Sequence, residues 1–239
     1  MRQPCTIEQP LGLNQTPLKH INFANTLAKY NKFEEAIIHY REAIKIAPYY
    51  AKAHYNFANT LAQYKKFEEA IIHYRTAIRI KPDEQAHNNL GILLKNNGEI
   101  NKAITHFRMA ININPKFSLA YNNLGAALFN ERKTREAISN FKLAVKFKPD
   151  YAEAHYNLGT ALFELGMIEE AIPYYRKAIK FSLENAEAYN NLGAALLVKR
   201  KIEEAISNFK MAIGLKPDYA DAHRNLKIAL DKQKIQSVR

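Results

Sequence analysis

Between residues 152 and 185 the apolar side chains fall into two helical runs. Ala154, Leu158, Ala161 and Leu162 recur at spacings of three and four. After the break ELGM the same spacing resumes at Ile168, Ala171, Ile172, Tyr175, Ala178 and Ile179. Apolar residues at such intervals lie along one stripe of a 3.6-residue helix and need a neighbour to cover them. The segment therefore predicts a helix, a turn at Gly166 and a second helix packed on the first.

The same pattern is written along most of the chain. KFEEAIIHYR at 32–41 returns unchanged at 66–75, and AYNNLGAALF at 120–129 returns as AYNNLGAALL at 188–197. Pro48 and Pro82 stand 34 residues apart, as do Pro115 and Pro149; Pro217 lies 68 beyond Pro149, with Leu183 at the intervening place. Only the step from Pro82 to Pro115 is 33, and comparing PDEQAHNNLG with PDYAEAHYNLG puts the missing residue just after Pro82, in a turn between units. Six units follow, at 17–50, 51–84, 85–117, 118–151, 152–185 and 186–219. Residues 220–239 read as a closing helix and tail, with Arg224, Lys227, Asp231 and Lys232 turned outward. Residues 1–16 read as an N-terminal extension, disordered or draped over the first helix.

Within the units two rows of small residues mark where helices approach closely: Ala24, Ala58, Gly91, Gly125, Gly159 and Gly193, then Ala36, Ala70, Ala103, Ala137, Ala171 and Ala205. Tyr40, Tyr74, Phe107, Phe141, Tyr175 and Phe209 form an aromatic row expected in the core. Gly98 and Gly166 fall in the turn inside their units, but Asn31, Lys65, Arg132 and Arg200 hold that slot elsewhere. On this reading a left-handed turn residue is not demanded throughout. Pro173 removes one backbone donor from a second helix, and near the start of that helix on an exposed face it is expected to be tolerated.

A 34-residue helical pair with small residues at positions 8 and 20, an aromatic at 24, a small residue at 27 and Pro at 32 resembles the tetratricopeptide repeat. The resemblance covers about residues 17–230. His20, His54, His87, Tyr121, His155, Tyr189 and His223 stand where the family carries Trp. The phrasing around AHYNLGTALFELGMIEEAI is most similar to the repeat arm of O-linked N-acetylglucosamine transferases and to bacterial repeat proteins, although no transferase domain is expected within these 239 residues, which the repeats fill. The resemblance implies an all-α fold, a right-handed solenoid in which each unit packs only on its neighbours. It also implies a protein-interaction scaffold rather than an enzyme.

Positions 2, 5, 6, 9, 12 and 13 of each first helix lie opposite its packed stripe, and the resemblance places them on a concave groove. Position 6 is Asn22, Asn56, Asn89, Asn123, Asn157, Asn191 and Asn225, seven of seven. Asparagine is a mediocre helix former, because its amide competes for backbone groups, so such a row has a reason. Two readings stand side by side. The amides form a ladder that binds the backbone of an extended peptide, as the equivalent asparagines do in the transferase arm, or they bond between repeats and keep the stack in register. Tyr55, Tyr156, Phe129 and Phe163 fall on the same rows as candidate side-chain contacts. Lys52 and Lys95 give one end of the groove a positive sign, and Glu153 and Glu187 give the other a negative one. The carboxylate clamp known in some repeats of this family is not expected, since Ile21 and Tyr55 occupy its lysine position.

Composition adds little that changes this picture. Hydrophobic residues make up 47% of the chain, with 8 Gly and 9 Pro, which fits a folded helical protein. The single cysteine, Cys5, cannot form an internal disulfide, and no segment reads as a signal peptide or a membrane span, so a cytoplasmic protein is expected. The net charge is +12, but the groove rows balance, so the excess belongs to turns and second helices: Lys65 and Lys66, Arg132 and Lys133, Lys199 to Lys201. Binding of RNA or another polyanion to that outer face is the alternative function, with self-association through the repeat ends as a third. Eight histidines are present, but five hold position 4 and three, one per unit, hold position 23, and such repeated side chains stand too far apart to share a zinc ion. No HExxH, CxxC or glycine-rich phosphate loop occurs, so neither a metal nor a cofactor is expected.

Overall fold

The computed structural model describes residues 16–237, and among them every regular element is a helix. The thirteen are α1 (Thr16–Lys29), α2 (Phe33–Ile46), α3 (Ala51–Gln63), α4 (Phe67–Ile80), α5 (Glu84–Asn96), α6 (Ile100–Ile113), α7 (Ser118–Asn130), α8 (Thr134–Phe147), α9 (Ala152–Glu164), α10 (Ile168–Phe181), α11 (Ala186–Val198), α12 (Ile202–Leu215) and α13 (Ala220–Ser237). The expectation for the N-terminal extension falls, Thr16 apart, outside the described residues. Two compact units divide at Asn97 and Gly98, so α1–α5 belong to the first and α6–α13 to the second.

Within each unit a helix packs on the next in chain order. The first helices of successive pairs also touch, as α1 does α3 and as α7, α9, α11 and α13 do in series. That is the packing of an α-solenoid, in which burial comes from stacking neighbours rather than from one central core. The aromatic row lies inside it: Tyr40, Phe107, Phe141, Tyr175 and Phe209 are each at most 1% exposed and Tyr74 is 2%. Phe57 is 1% exposed beneath the Tyr40 ring, which stacks on it at 5.3 Å. Phe23 holds the same repeat position as Phe57 yet is 52% exposed, because no helix precedes α1 among the described residues.

The glycines of the first small-residue row are explained by these rings. A Cβ built on Gly125 would lie 2.6 Å from the Phe141 ring, and one on Gly193 2.6 Å from the Phe209 ring. Both distances are well inside van der Waals contact, so the close approach of the ring excludes a larger residue.

The turns within pairs correct one expectation from the sequence. Asn31, Lys65, Arg132 and Arg200 adopt φ of +60°, +62°, +60° and +58°, and Gly98 and Gly166 take +81° and +76°. Every one of these slots is left-handed, including those filled by lysine and arginine. In the four non-glycine turns the residue after the left-handed one donates its N–H to a carbonyl near the end of the first helix, as Lys66 does to Leu61 at 2.8 Å and Lys133 to Leu128 at 2.9 Å. This arrangement terminates the helix with its last carbonyls satisfied. Closing the helix pair outweighs the roughly 1–2 kcal/mol that an L side chain costs there.

Between pairs, most connections run four residues, as at 47–50 and 148–151, but the one between α4 and α5 has only three, 81–83. There Asp83 caps α5, its carboxylate accepting the N–H groups of Gln85 at 3.0 Å and Ala86 at 2.9 Å. Pro173 is the sixth residue of α10, exposed, and the helix runs unbroken through it. At the C-terminal end α13 packs on α12 and α11 with Ala222 and Ala229 buried, and Arg224, Lys227, Asp231 and Lys232 are exposed.

Candidate functional site

The position-6 asparagines Asn56, Asn89, Asn157, Asn191 and Asn225 lie on the face that their first helix shares with the preceding one. In the first unit Asn56 donates Nδ2–H to Asn25 Oδ1 of the preceding pair at 3.1 Å, and the Tyr40 hydroxyl donates to the same oxygen. The motif recurs one pair later. Asn89 donates to Asn59 Oδ1 at 3.1 Å and approaches the Tyr55 hydroxyl at 3.4 Å, while the Tyr74 hydroxyl donates to Asn59. Burial pushes the phenols of Tyr40 and Tyr74 above their ordinary range, so both stay protonated donors. A tyrosine at position 24, an asparagine at position 9 and the next asparagine at position 6 therefore form one relay.

The second unit makes the same link with different residues. Position 9 is Ala126 on α7 and Ala194 on α11, which offer no acceptor. The neighbouring asparagine at position 5 substitutes: Asn157 donates to Asn122 Oδ1 at 2.9 Å and Asn225 to Asn190 Oδ1 at 3.0 Å. Asn191 instead donates to the Tyr156 hydroxyl at 3.3 Å. Asn122 is fully buried, and its own Nδ2 donates to Glu153 at 3.1 Å and Tyr151 at 3.3 Å. A polar side chain buried this deeply is stable only with its donors and acceptors met.

The repeat pattern alone does not mark Asn25, Asn59, Asn122 and Asn190 as the acceptors for the position-6 row, yet these supply the oxygens. The doubled asparagine in AYNNLG was the signal: its first member, Asn122 or Asn190, is the buried acceptor, and in the copy at 188–193 the second, Asn191, donates to the pair before. Among the predicted groove residues, Asn22 is exposed on α1, and Asn123, Phe129, Phe163 and Lys95 are half-buried. Tyr55 donates its hydroxyl to Gln85 at 3.1 Å. Glu187 pairs with Lys216 at 3.7 Å, and Lys52 is exposed.

The first-helix face of the first unit is also where space opens. A cavity of about 710 Å³ lies between α1 and α3, lined among others by Asn25, Lys29, Tyr40, Asn56 and Gln63. A second, of about 290 Å³, lies on the other side of α3, lined by Lys52, Tyr55, Asn56, Lys81, Gln85 and Ala86 among others. Asn56 is common to both.

The position-4 residues, in place of the family's tryptophan, tie successive pairs together. His54, His155 and His223 place Nε2 at 3.0, 2.8 and 2.8 Å from the carbonyls of Pro48, Pro149 and Pro217, and the Tyr121 hydroxyl donates to that of Pro115 at 3.3 Å. His54 and His73 also meet Nδ1 to Nδ1 at 2.9 Å, as do His20 and His39. Among the described residues no group of three or more His, Cys, Asp or Glu could hold a metal, and no helix is long and apolar enough to cross a membrane.

The basic turns noted in the sequence carry carboxylate partners. Arg132 pairs with Glu164 at 3.6 Å, Lys66 with Glu69 at 3.5 Å and Lys201 with Glu204 at 3.2 Å, and Lys199 pairs with Glu169. On the outer face Arg41 reaches Glu69 at 3.3 Å and Arg176 reaches Glu204 at 3.1 Å.

Comparison with known families adds an independent observation. Profiles described as tetratricopeptide repeat match residues 27–91, 85–117, 152–182 and 186–219, and one described as TPR repeat matches 133–166. The chain belongs to the tetratricopeptide-repeat family. Solved structures of similar fold include the Cut9–Hcn1 hetero-tetramer of the APC/C, with a TM-score of 0.74 and 24% identity over 90% of this chain and 43% of that one. This chain therefore spans less than half of that relative. The pilF protein of Pseudomonas aeruginosa matches with a TM-score of 0.78 and 18% identity over 94% of this chain and 98% of its own. YrrB, described as a TPR protein with an unusual peptide-binding site, matches with a TM-score of 0.65 and 23% identity over 79% and 97%. No curated protein sequence matches the chain. At these identities the solved structures speak for the fold alone.

Proposed function

We propose that this tetratricopeptide-repeat protein is a protein-interaction scaffold that takes an extended segment of its partner along the first-helix face, the side its family resemblance makes concave. The observation that carries the reading is the pair of cavities meeting at Asn56. A ledge between two hollows can receive successive side chains of an extended chain while polar groups on the ledge face its backbone. Neighbouring helices lie about 10 Å apart, or roughly three residues of extended peptide. Family membership supports a binding role, and the description of YrrB offers a precedent for peptide binding on this fold. Asn56 then serves two purposes: one N–H holds the stack, and its remaining amide capacity faces the ligand. Polyanion binding on the outer face is the weaker reading, because several of the cations it would use, Arg41, Arg132, Arg176 and Lys199 among them, are paired with glutamates.

A photo-crosslinking amino acid placed at Gln63, on the rim of the larger cavity, is expected to capture a partner from native lysate. The same group at Arg75, on the exposed outer side of α4, is expected to capture none. Capture from Arg75 with none from Gln63 would overturn the proposal.

A further inference from the structure

We infer that the first-helix face of the first unit selects an acidic peptide, its side chains entering the two cavities on either side of Asn56. The inference rests on the groove reading proposed above and adds the chemical class of the ligand. Its basis is the charge around the cavities. Lys29 rims the larger one, and Lys52 and Lys81 rim the smaller; all three are exposed. Asp83 is the one carboxylate lining either cavity, and its oxygen is already engaged as the cap of α5, bound by two backbone N–H groups. Three lysines thus face the space with no comparable negative group to answer them.

The second unit carries the opposite sign at the equivalent register. The position held by Lys52 on α3 is the neutral Leu119 on α7, then Glu153 on α9, Glu187 on α11 and Asp221 on α13. Selection therefore belongs to the first unit, where a peptide carboxylate exchanges water for a lysine ammonium at the rim while apolar parts settle against Ala77 and Ala86. Such contacts lie at the surface, so they are screened by salt and act on choice of partner more than on total affinity.

The test uses three pools of fluorescein-labelled decapeptides randomised over Ala, Leu and Tyr, each with three fixed residues: Glu in one, Gln in the second, Lys in the third. Polarisation is read on the full chain and on the Lys29→Gln/Lys52→Gln/Lys81→Gln variant, with circular dichroism confirming that both are folded. The Glu pool is expected to bind about tenfold more tightly than the Gln pool and the Lys pool least. The variant should erase the gap between Glu and Gln, as should raising salt from about 50 mM to about 500 mM. If the three pools bind alike and all are captured by the crosslinker at Gln63, the acidic preference is wrong while the groove reading stands. Binding that is alike and never captured from Gln63 overturns both, and so does the absence of binding by every pool.

Discussion

The His54–His73 pair makes the first unit sensitive to acid in a way that can be calculated. The Pro48 carbonyl can only accept, so the His54 Nε2 that faces it at 3.0 Å carries the proton. A neutral His54 then has a bare Nδ1, and the 2.9 Å contact requires the His73 proton to sit on Nδ1. Burial first, and then the neighbouring His54, lowers the pKa of His73 from 6.5 to about 4, with Arg41 adding to the fall and Glu69 opposing it. Above pH 6.5 both folded and unfolded chains are neutral at this site. As pH falls below 6.5 the unfolded histidine takes up a proton that the folded one refuses, so stability is lost progressively until about pH 4. At about 1.4 kcal/mol per pKa unit the loss between pH 7.5 and 5 would reach about 2 kcal/mol. Solvent screening of a half-buried ring reduces this to about 1 kcal/mol. Urea unfolding at the two pH values should show the wild type losing about that much more than His73→Gln. Long-range proton–nitrogen NMR should report a neutral His73 with its proton on Nδ1 at pH 5. A His73 that titrates near 6.5, or a variant as acid-sensitive as the wild type, would refute the reasoning.

Further outcomes are expected from the same geometry. Gly125→Ala puts a methyl against the fully buried Phe141 ring, and thermal unfolding should show a loss of about 1–3 kcal/mol. Lys65→Gly relieves an exposed left-handed residue, and its urea midpoint should correspond to a gain of about 0.5 kcal/mol, whereas Gly166→Ala should lose about 1 kcal/mol. Asn157→Leu leaves the buried Asn122 oxygen without its donor, at a cost of about 1–3 kcal/mol, and hydrogen exchange should rise at α7 and α9.

The relay also bears on how the asparagine row is tested. A variant lacking several position-6 asparagines would loosen the stack and the groove together, so loss of binding in it would say little about contact with a ligand. Exposed lysines and rim positions such as Gln63 separate the two effects.

Periodicity alone determined the helix pairs, the places of their turns and the aromatic core, because a stripe of apolar residues recurring every three or four positions must be buried against a neighbouring helix. The short step after Pro82 was equally legible as a missing turn residue. What the asparagine row bonds to was not. Its partners sit 30 to 35 residues away, and whether position 5 or position 9 supplies the oxygen depends on the side chains present and their reach across the stack. The left-handed turns were hidden for a related reason. Residue preference argued against them at Lys65, Arg132 and Arg200, but closing two helices onto each other imposes the backbone conformation regardless of the residue there. The cavities beside Asn56 exist only once α1, α3 and α5 are stacked. Local chemistry in this chain is written in the sequence, and the matching of donors to acceptors across repeats is decided by packing.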